Sequence, residues 1–128
     1  MARILIAEDD ASMRHFLAAA LEKAGHEVSV RDNGIDAFGA LNTEGAYDLL
    51  LADIVMPGMD GVALSQKASS LFPDMKIMFI TGFSAVALRC GQFGDNGAKV
   101  LSKPFHLKDL IGQIQSLLSA SDAPAAVS

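Results

Sequence analysis

The chain has 128 residues, of which 51% are hydrophobic and 20% are charged, and its net charge is -5 at pH 7. This length suits one globular domain, and this hydrophobic content excludes a disordered chain. The acidic charge would repel a phosphate backbone, so we predict no nucleic-acid partner. No apolar run reaches the ~18 residues of a membrane span, and the lone Cys90 agrees with a reducing compartment. These features predict a cytoplasmic protein without membrane insertion.

Apolar strands alternate with amphipathic helices from the start of the chain. Residues 3–7 form a short apolar strand that ends at an acidic cluster, and the following helix has apolar residues at every third or fourth position. Asp10 or Ser12 can cap the start of this helix, and Gly25 its end. The weakly alternating residues 26–30 predict a second strand at an edge of the sheet.

A second helix and a third strand then bring the chain to a carboxylate. The helix follows a turn at residues 32–34, and its inward-facing positions are Ile35, Phe38 and Leu41. Residues 49–52 are uninterrupted apolar residues, the pattern of a strand covered on both faces. Asp53 follows directly, and Pro57 with the glycines behind it turns the chain at once. The carboxylate therefore lies at the carboxyl end of a buried strand, where open α/β sheets bind ligands.

The second half of the chain repeats the alternation. Residues 62–71 predict a third helix, with Leu64, Ala68 and Leu71 on one face. Residues 76–81 and the brief segment 99–101 predict two more strands. Between them, residues 83–96 give the poorest pattern, because glycines interrupt it. A continuous apolar stripe over residues 107–118 predicts the last helix.

Strands that alternate with helices over such short spacers call for right-handed crossovers and a parallel sheet. We predict an α/β fold, a three-layer α/β/α sandwich around a five-stranded parallel sheet. The domain occupies residues 1–120 and is followed by a flexible tail at residues 121–128. Periodicity does not establish the strand order, although an edge position for the second strand is compatible with 2-1-3-4-5.

Polar side chains follow four of the five predicted strands. Glu8 and Asp9 follow the first strand, Asp53 the third, Thr81 the fourth and Lys103 the fifth. The carboxyl ends of parallel strands lie at one edge of a sheet, so we expect three carboxylates, a hydroxyl and an ammonium to converge there.

This constellation has two interpretations. Crowded carboxylates repel one another unless a positive charge intervenes, and the ligand set suits Mg2+. With a cation bound, Asp53 keeps a free oxygen that can attack phosphorus and form an acyl phosphate, while Lys103 and Thr81 bind the phosphoryl oxygens. In the alternative interpretation Lys103 alone pairs with Asp53, and the other acids are solvated charges at a helix start.

Four motifs resemble those of response-regulator receiver domains of two-component and phosphorelay systems. They are residues 4–10 (ILIAEDD), residues 53–61 (DIVMPGMDG), residues 81–82 (TG) and residues 103–105 (KPF). The resemblance extends from residue 3 to about residue 120. It implies the flavodoxin-like receiver fold of the CheY-like superfamily, with strand order 2-1-3-4-5.

The resemblance also implies a role for each matched residue. Asp53 is the phosphoacceptor; Asp9, Asp53 and the backbone carbonyl of Val55 bind Mg2+, and Glu8 acts mostly through water. The hydroxyl after the fourth strand and the ammonium after the fifth bind the phosphoryl group. Many receivers carry an aromatic switch residue three positions before this lysine, whereas this chain has Val100.

Among receivers, residues 47–61, 77–88 and 99–110 resemble the CpdR type of alphaproteobacteria, a stand-alone receiver. In that group the unphosphorylated protein primes a ClpXP protease, and phosphorylation through a histidine kinase and phosphotransferase relay switches it off. The resemblance therefore implies two partners, a histidine kinase or histidine phosphotransferase and a ClpX-type unfoldase.

Three functions follow from these observations. The first is a phosphorylation-controlled binding module, with Phe83, Phe93 and His106 as candidate partner contacts, although they can equally pack the core. The second is a phosphate sink or relay intermediate without a dedicated effector. The third, a Mg2+-dependent hydrolase, requires a second carboxylate placed as acid or base near Asp53 and a cap domain, and the sequence indicates neither. We therefore expect a phosphoacceptor that promotes its own phosphorylation and dephosphorylation, not an enzyme.

Overall fold

The computed structural model describes residues 2–44, 47–54, 56, 58–81, 99–102 and 106–120. Its elements are β1 (Arg3–Ala7), α1 (Ala11–Lys23), β2 (Glu27–Arg31), α2 (Gly34–Glu44), β3 (Leu49–Asp53), α3 (Gly61–Leu71), β4 (Lys76–Thr81), β5 (Lys99–Ser102) and α4 (Leu107–Ala120). The predicted strands and helices are confirmed within these ranges. The predictions for residues 83–96 and for the tail at 121–128 lie outside them.

The five strands form one parallel sheet in the order β2-β1-β3-β4-β5, which confirms the predicted architecture. β3 lies at the centre, and all five of its residues are buried, including Asp53. The register pairs Ala7 with Ala52 and Asp53 with Ile80. The carboxyl ends of β1, β3 and β4 therefore meet at one edge of the sheet.

The sheet separates two hydrophobic cores. In β1, Ile4 and Ile6 belong to the core shared with α1 and α4, whereas Leu5 and Ala7 belong to the core shared with α2 and α3. This division follows from the alternation of side chains along a strand. Full burial of each large aliphatic side chain stabilises the fold by about 1.5–3 kcal/mol, so the central strands are the most strongly held part of the described chain.

The ends of α1 carry the predicted caps. The Asp10 side chain accepts hydrogen bonds from the backbone N–H groups of Ser12 at 2.9 Å and Met13 at 3.2 Å, so Asp10 and not Ser12 is the N-cap. Gly25 follows the C-cap residue with φ +102°, a conformation that favours glycine.

No helix among the described residues is long and apolar enough to cross a bilayer.

The inward orientation predicted for Ile35 is wrong, because its side chain is 58% exposed. Leu71, predicted to share a face with Leu64 and Ala68, is 44% exposed. Ile35 is in the first turn of α2, and Leu71 is the last residue of α3. Helical spacing indicates which face of the helix a residue lies on. At the end of a helix, however, that face extends beyond the sheet that covers it, so the last apolar residues are exposed to solvent. Ile35 instead contacts the loop after β3, since a side-chain carbon at Gly58 would lie 2.9 Å from its Cδ1 atom.

His26 is a titratable group within the fold. The backbone N–H of Ala2 donates to its Nδ1 atom at 3.2 Å, so the neutral ring carries its proton on Nε2. The Nε2 atom is buried and has no hydrogen-bond partner among the described residues. Burial lowers the pKa of His26 below its ordinary value of 6.5.

We expect this histidine to make stability depend on pH. Because the pKa is lower in the folded state, the neutral ring stabilises the fold above about pH 6.5, and this contribution is lost as pH falls toward the folded-state pKa. Urea unfolding at pH 7.5 and pH 5.5 should show a smaller loss of stability in His26→Gln than in the wild type. The matched control is His15→Gln, on the exposed side of α1, which should keep the wild-type pH dependence. An equal loss in all three proteins would contradict the assignment.

Candidate functional site

Three carboxylates meet at the carboxyl edge of the sheet. Glu8 and Asp9 follow β1, and Asp53 is the last residue of β3, the strand beside β1. Because Ala7 is paired with Ala52, the residues that follow them, Glu8 and Asp53, lie next to each other at the carboxyl edge of the sheet. One carboxylate oxygen of each residue lies within 4.8 Å of those of the other two. Asp53 thus forms one acidic site with residues that precede it by 44 and 45 positions in the sequence.

The three carboxylates differ in their access to solvent. Glu8 is 1% exposed and Asp53 is 6% exposed, whereas Asp9 is open to solvent. The backbone N–H of Asp10 donates to Glu8 Oε2 at 3.1 Å, which orients the most buried carboxylate. Carboxylates this close together repel one another when ionised, and a cation between them relieves that repulsion. The arrangement suits a hard cation that approaches from the side of Asp9.

The loop between β1 and α1 is held from two directions. The Glu8 N–H donates to the Arg31 carbonyl at 3.1 Å, which ties the loop to β2. From α1, Arg14 Nη1 donates to the Glu8 carbonyl at 2.9 Å and to the Asp9 carbonyl at 3.5 Å. Nothing in the helical pattern around Arg14 indicates that its side chain turns back toward the strand, so this role has no signal in the sequence.

On the opposite side, the start of α3 packs against the backbone of Asp53. The Gly61 N–H donates to the Ile54 carbonyl at 2.9 Å, and Ile54 N–H donates to the Ile80 carbonyl at 3.0 Å. A side-chain carbon at Gly61 would collide with the Asp53 carbonyl oxygen and lie 2.9 Å from Ile54 Cα. Asp60 caps α3 by accepting from Ala63 N–H at 2.8 Å. The loop between β3 and α3 is thus held at both ends, next to the Asp53 carboxylate.

A further close approach comes from α2. A side-chain carbon at Gly34 would collide with the Met59 carbonyl oxygen, so the first turn of α2 touches the loop between β3 and α3. In the sequence, Gly34 indicates only a turn. Its contact with a residue 25 positions later has no local signal, and the structure alone identifies it.

The fold and the acidic site agree with a comparison against protein families. The profile described as response regulator receiver domain matches residues 4–115. The chain belongs to this family. It is therefore the receiver domain of a two-component response regulator.

Relatives of this receiver domain extend the comparison. The response regulator receiver protein CpdR of Brucella abortus is 55% identical over 121 residues, which are 94% of this chain and 100% of that protein. The sensor kinase CckA of the same organism is 30% identical over 122 residues, or 94% of this chain and 13% of the kinase. The structure of the response regulator TrrA of Thermotoga maritima in complex with Mg2+-BeF superposes with a TM-score of 0.81 at 28% identity, covering 91% of this chain and 99% of that one.

The remaining predicted site residues of the receiver domain are described in part or not at all. Outside the described part of the chain, wholly or in their side chains, are Val55, Thr81, Phe83, Phe93 and Lys103. The backbone of Thr81 ends β4 one residue after Ile80, the partner of Asp53, so it lies at the same edge as the acids. His106 is exposed just before α4, where its carbonyl accepts from Asp109 and Leu110.

Proposed function

We propose that this receiver domain is phosphorylated on Asp53 with Mg2+, and that its phosphorylation state controls a protein partner. The observation that carries the proposal is the convergence of Glu8, Asp9 and Asp53 within 4.8 Å in a member of the receiver family. Asp53 ends the central, fully buried strand, so its carboxylate is held by the most rigid part of the fold. A nucleophile on such an element keeps its position during the reaction.

The acidic site fits Mg2+. This ion prefers carboxylate and carbonyl oxygens together with several waters, and the site offers two buried carboxylates and one that is open to solvent. Asp9, Asp53 and the Val55 carbonyl would hold the ion, with Glu8 acting mostly through water. When bound, Mg2+ would neutralise the charge that develops on the transferred phosphoryl group.

The residues of the chain would perform the transfer as follows. An Asp53 carboxylate oxygen attacks the phosphorus of a phosphohistidine or of acetyl phosphate, an O–P bond forms, and the bond from phosphorus to the donor breaks with its electron pair leaving on the donor. Lys103 and the Thr81 hydroxyl would donate to the phosphoryl oxygens. The protein would thus be a phosphoacceptor that promotes its own phosphorylation and dephosphorylation, not an enzyme with a separate substrate.

For the partners, we propose a histidine kinase or histidine phosphotransferase as the phosphoryl donor and a ClpX-type unfoldase as the target, all in the cytoplasm. The identity of 55% over the whole of CpdR supports this assignment. In the proposed adaptor, the unphosphorylated protein binds the unfoldase, and phosphorylation releases it. Phe83, Phe93 and His106 are the proposed contacts.

Binding to the N-terminal domain of a ClpX-type unfoldase tests this proposal. We expect the apo protein to bind at least about tenfold more tightly than the protein loaded with Mg2+ and beryllofluoride, a difference of about 1.4 kcal/mol. Isothermal titration calorimetry with both forms measures it. The matched control is the wild type with Mg2+ alone, which should bind like the apo protein.

Other outcomes of this binding experiment would contradict the proposed adaptor. Equal binding in both states, or binding only with beryllofluoride, would contradict an adaptor that phosphorylation switches off. Absence of binding in both states, with beryllofluoride still taken up at Asp53, would contradict the unfoldase partner and favour the phosphate sink or relay intermediate.

A further inference from the structure

Arg14 connects the first helix to the acidic loop. It lies in the second turn of α1, where its N–H donates to the carbonyl of the N-cap residue Asp10 at 2.8 Å. Its side chain is partly buried and runs back toward the strand, so that Nη1 lies 2.9 Å from the Glu8 carbonyl oxygen and 3.5 Å from that of Asp9. One guanidinium nitrogen thus contacts the backbone of two successive acidic residues.

We propose that Arg14 is a positioning residue for the Mg2+ site, an inference that rests on the proposed function. The backbone of Glu8 is held at its N–H by β2 and at its carbonyl, which belongs to the following peptide group, by Arg14. Fixing this carbonyl sets the plane of the peptide that leads into Asp9 and hence the direction of its side chain. Asp9 is the exposed member of the cluster, so its carboxylate depends most on the backbone for its orientation.

The contacts of Arg14 also distinguish positioning from simple charge neutralisation. Among the described residues, its side chain donates to carbonyl oxygens and makes no ion pair with Glu8 or Asp9. Arg14 itself therefore does not occupy the carboxylate oxygens of these two residues. As a nearby positive charge alone, Arg14 would repel Mg2+, and its removal would tighten binding. As a positioning residue, its removal would weaken binding, so the two roles predict opposite signs.

Two substitutions of Arg14 and one control test the inference. Arg14→Lys keeps the charge, but its ammonium nitrogen is one bond closer to Cα than Nη1 and falls short of the two carbonyls, and Arg14→Met keeps the apolar stem but loses the charge. Lys23→Met is the matched control, because it removes one positive charge from the last turn of the same helix, about 14 Å along the axis from Arg14. Calorimetric titration with Mg2+ measures the dissociation constant of each protein.

We expect both Arg14 variants to bind Mg2+ about tenfold more weakly than the wild type, as is usual when a group that orients a metal ligand is removed. Lys23→Met should bind like the wild type. Phosphorylation by acetyl phosphate should recover in both Arg14 variants at saturating Mg2+, because Asp53 itself is unchanged. Urea unfolding without Mg2+ should separate this effect from a general loss of stability, which would lower the unfolding midpoint but leave the Mg2+ affinity of the folded protein unaltered.

The experiment distinguishes a failure of the proposed role of Arg14 from a failure of the proposed function. If the wild type binds Mg2+ and is phosphorylated on Asp53 but Arg14→Lys binds Mg2+ equally or more tightly, only the positioning role is overturned. If the wild type itself binds no Mg2+, both proposals fail. If Arg14→Met does not fold, the result for Arg14→Lys decides alone.

Discussion

Asp53→Asn is expected to take up no phosphoryl group from acetyl phosphate and Mg2+ under conditions that phosphorylate the wild type. The substitution keeps the size and shape of a side chain that is only 6% exposed, so the buried strand is preserved. It replaces a charged nucleophile by a neutral amide, whose oxygen is a much weaker nucleophile. Intact-mass spectrometry measures the fraction that carries one phosphoryl group.

The control for this experiment is Asp74→Asn, which makes the same chemical change at an exposed position in the turn before β4. It should be phosphorylated like the wild type. The variant Asp53→Asn should also bind the unfoldase domain equally with and without beryllofluoride, because the mimic has no attachment site. Phosphorylation that persists in Asp53→Asn would contradict the assignment of the phosphoacceptor.

Gly61→Ala is expected to destabilise the protein by about 3 kcal/mol, at the upper end of the usual range for an overpacked site. The added carbon would collide with the Asp53 carbonyl oxygen and Ile54 Cα. Both neighbours are backbone atoms of a central strand and its exit, so no flexible side chain can move aside. Urea unfolding measures the loss, and slower phosphorylation should accompany it because Asp53 must shift.

A second glycine provides the matched control. Gly112 lies within α4, and a side-chain carbon there would have open space around it. Gly112→Ala is therefore expected to stabilise the protein by about 0.5–1 kcal/mol, because alanine has less freedom to lose in a helix. Equal destabilisation by the two substitutions would show that the contact between Gly61 and Asp53 is not the cause.

Local sequence patterns predict part of this site. An apolar segment that ends in a carboxylate predicts a buried strand with a functional end, and the structure has this arrangement at β3 and Asp53. The acidic residues after β1 predict a second part of the same site, and the parallel sheet places Glu8 and Asp9 beside Asp53. In contrast, the roles of Arg14 and Gly34 were missed, because each depends on a contact with a loop that only the folded chain brings near.

The sequence by itself determined which segments become strands and helices, since burial on one face or on both leaves a period in the order of apolar residues. It also determined that Glu8, Asp9 and Asp53 share one edge, because parallel strands have their carboxyl ends on the same side. Only the tertiary structure decided that Ile35 is exposed and that Gly61 touches the backbone of Asp53. These features depend on where helix ends and loops meet in space, and such distances leave no period along the chain.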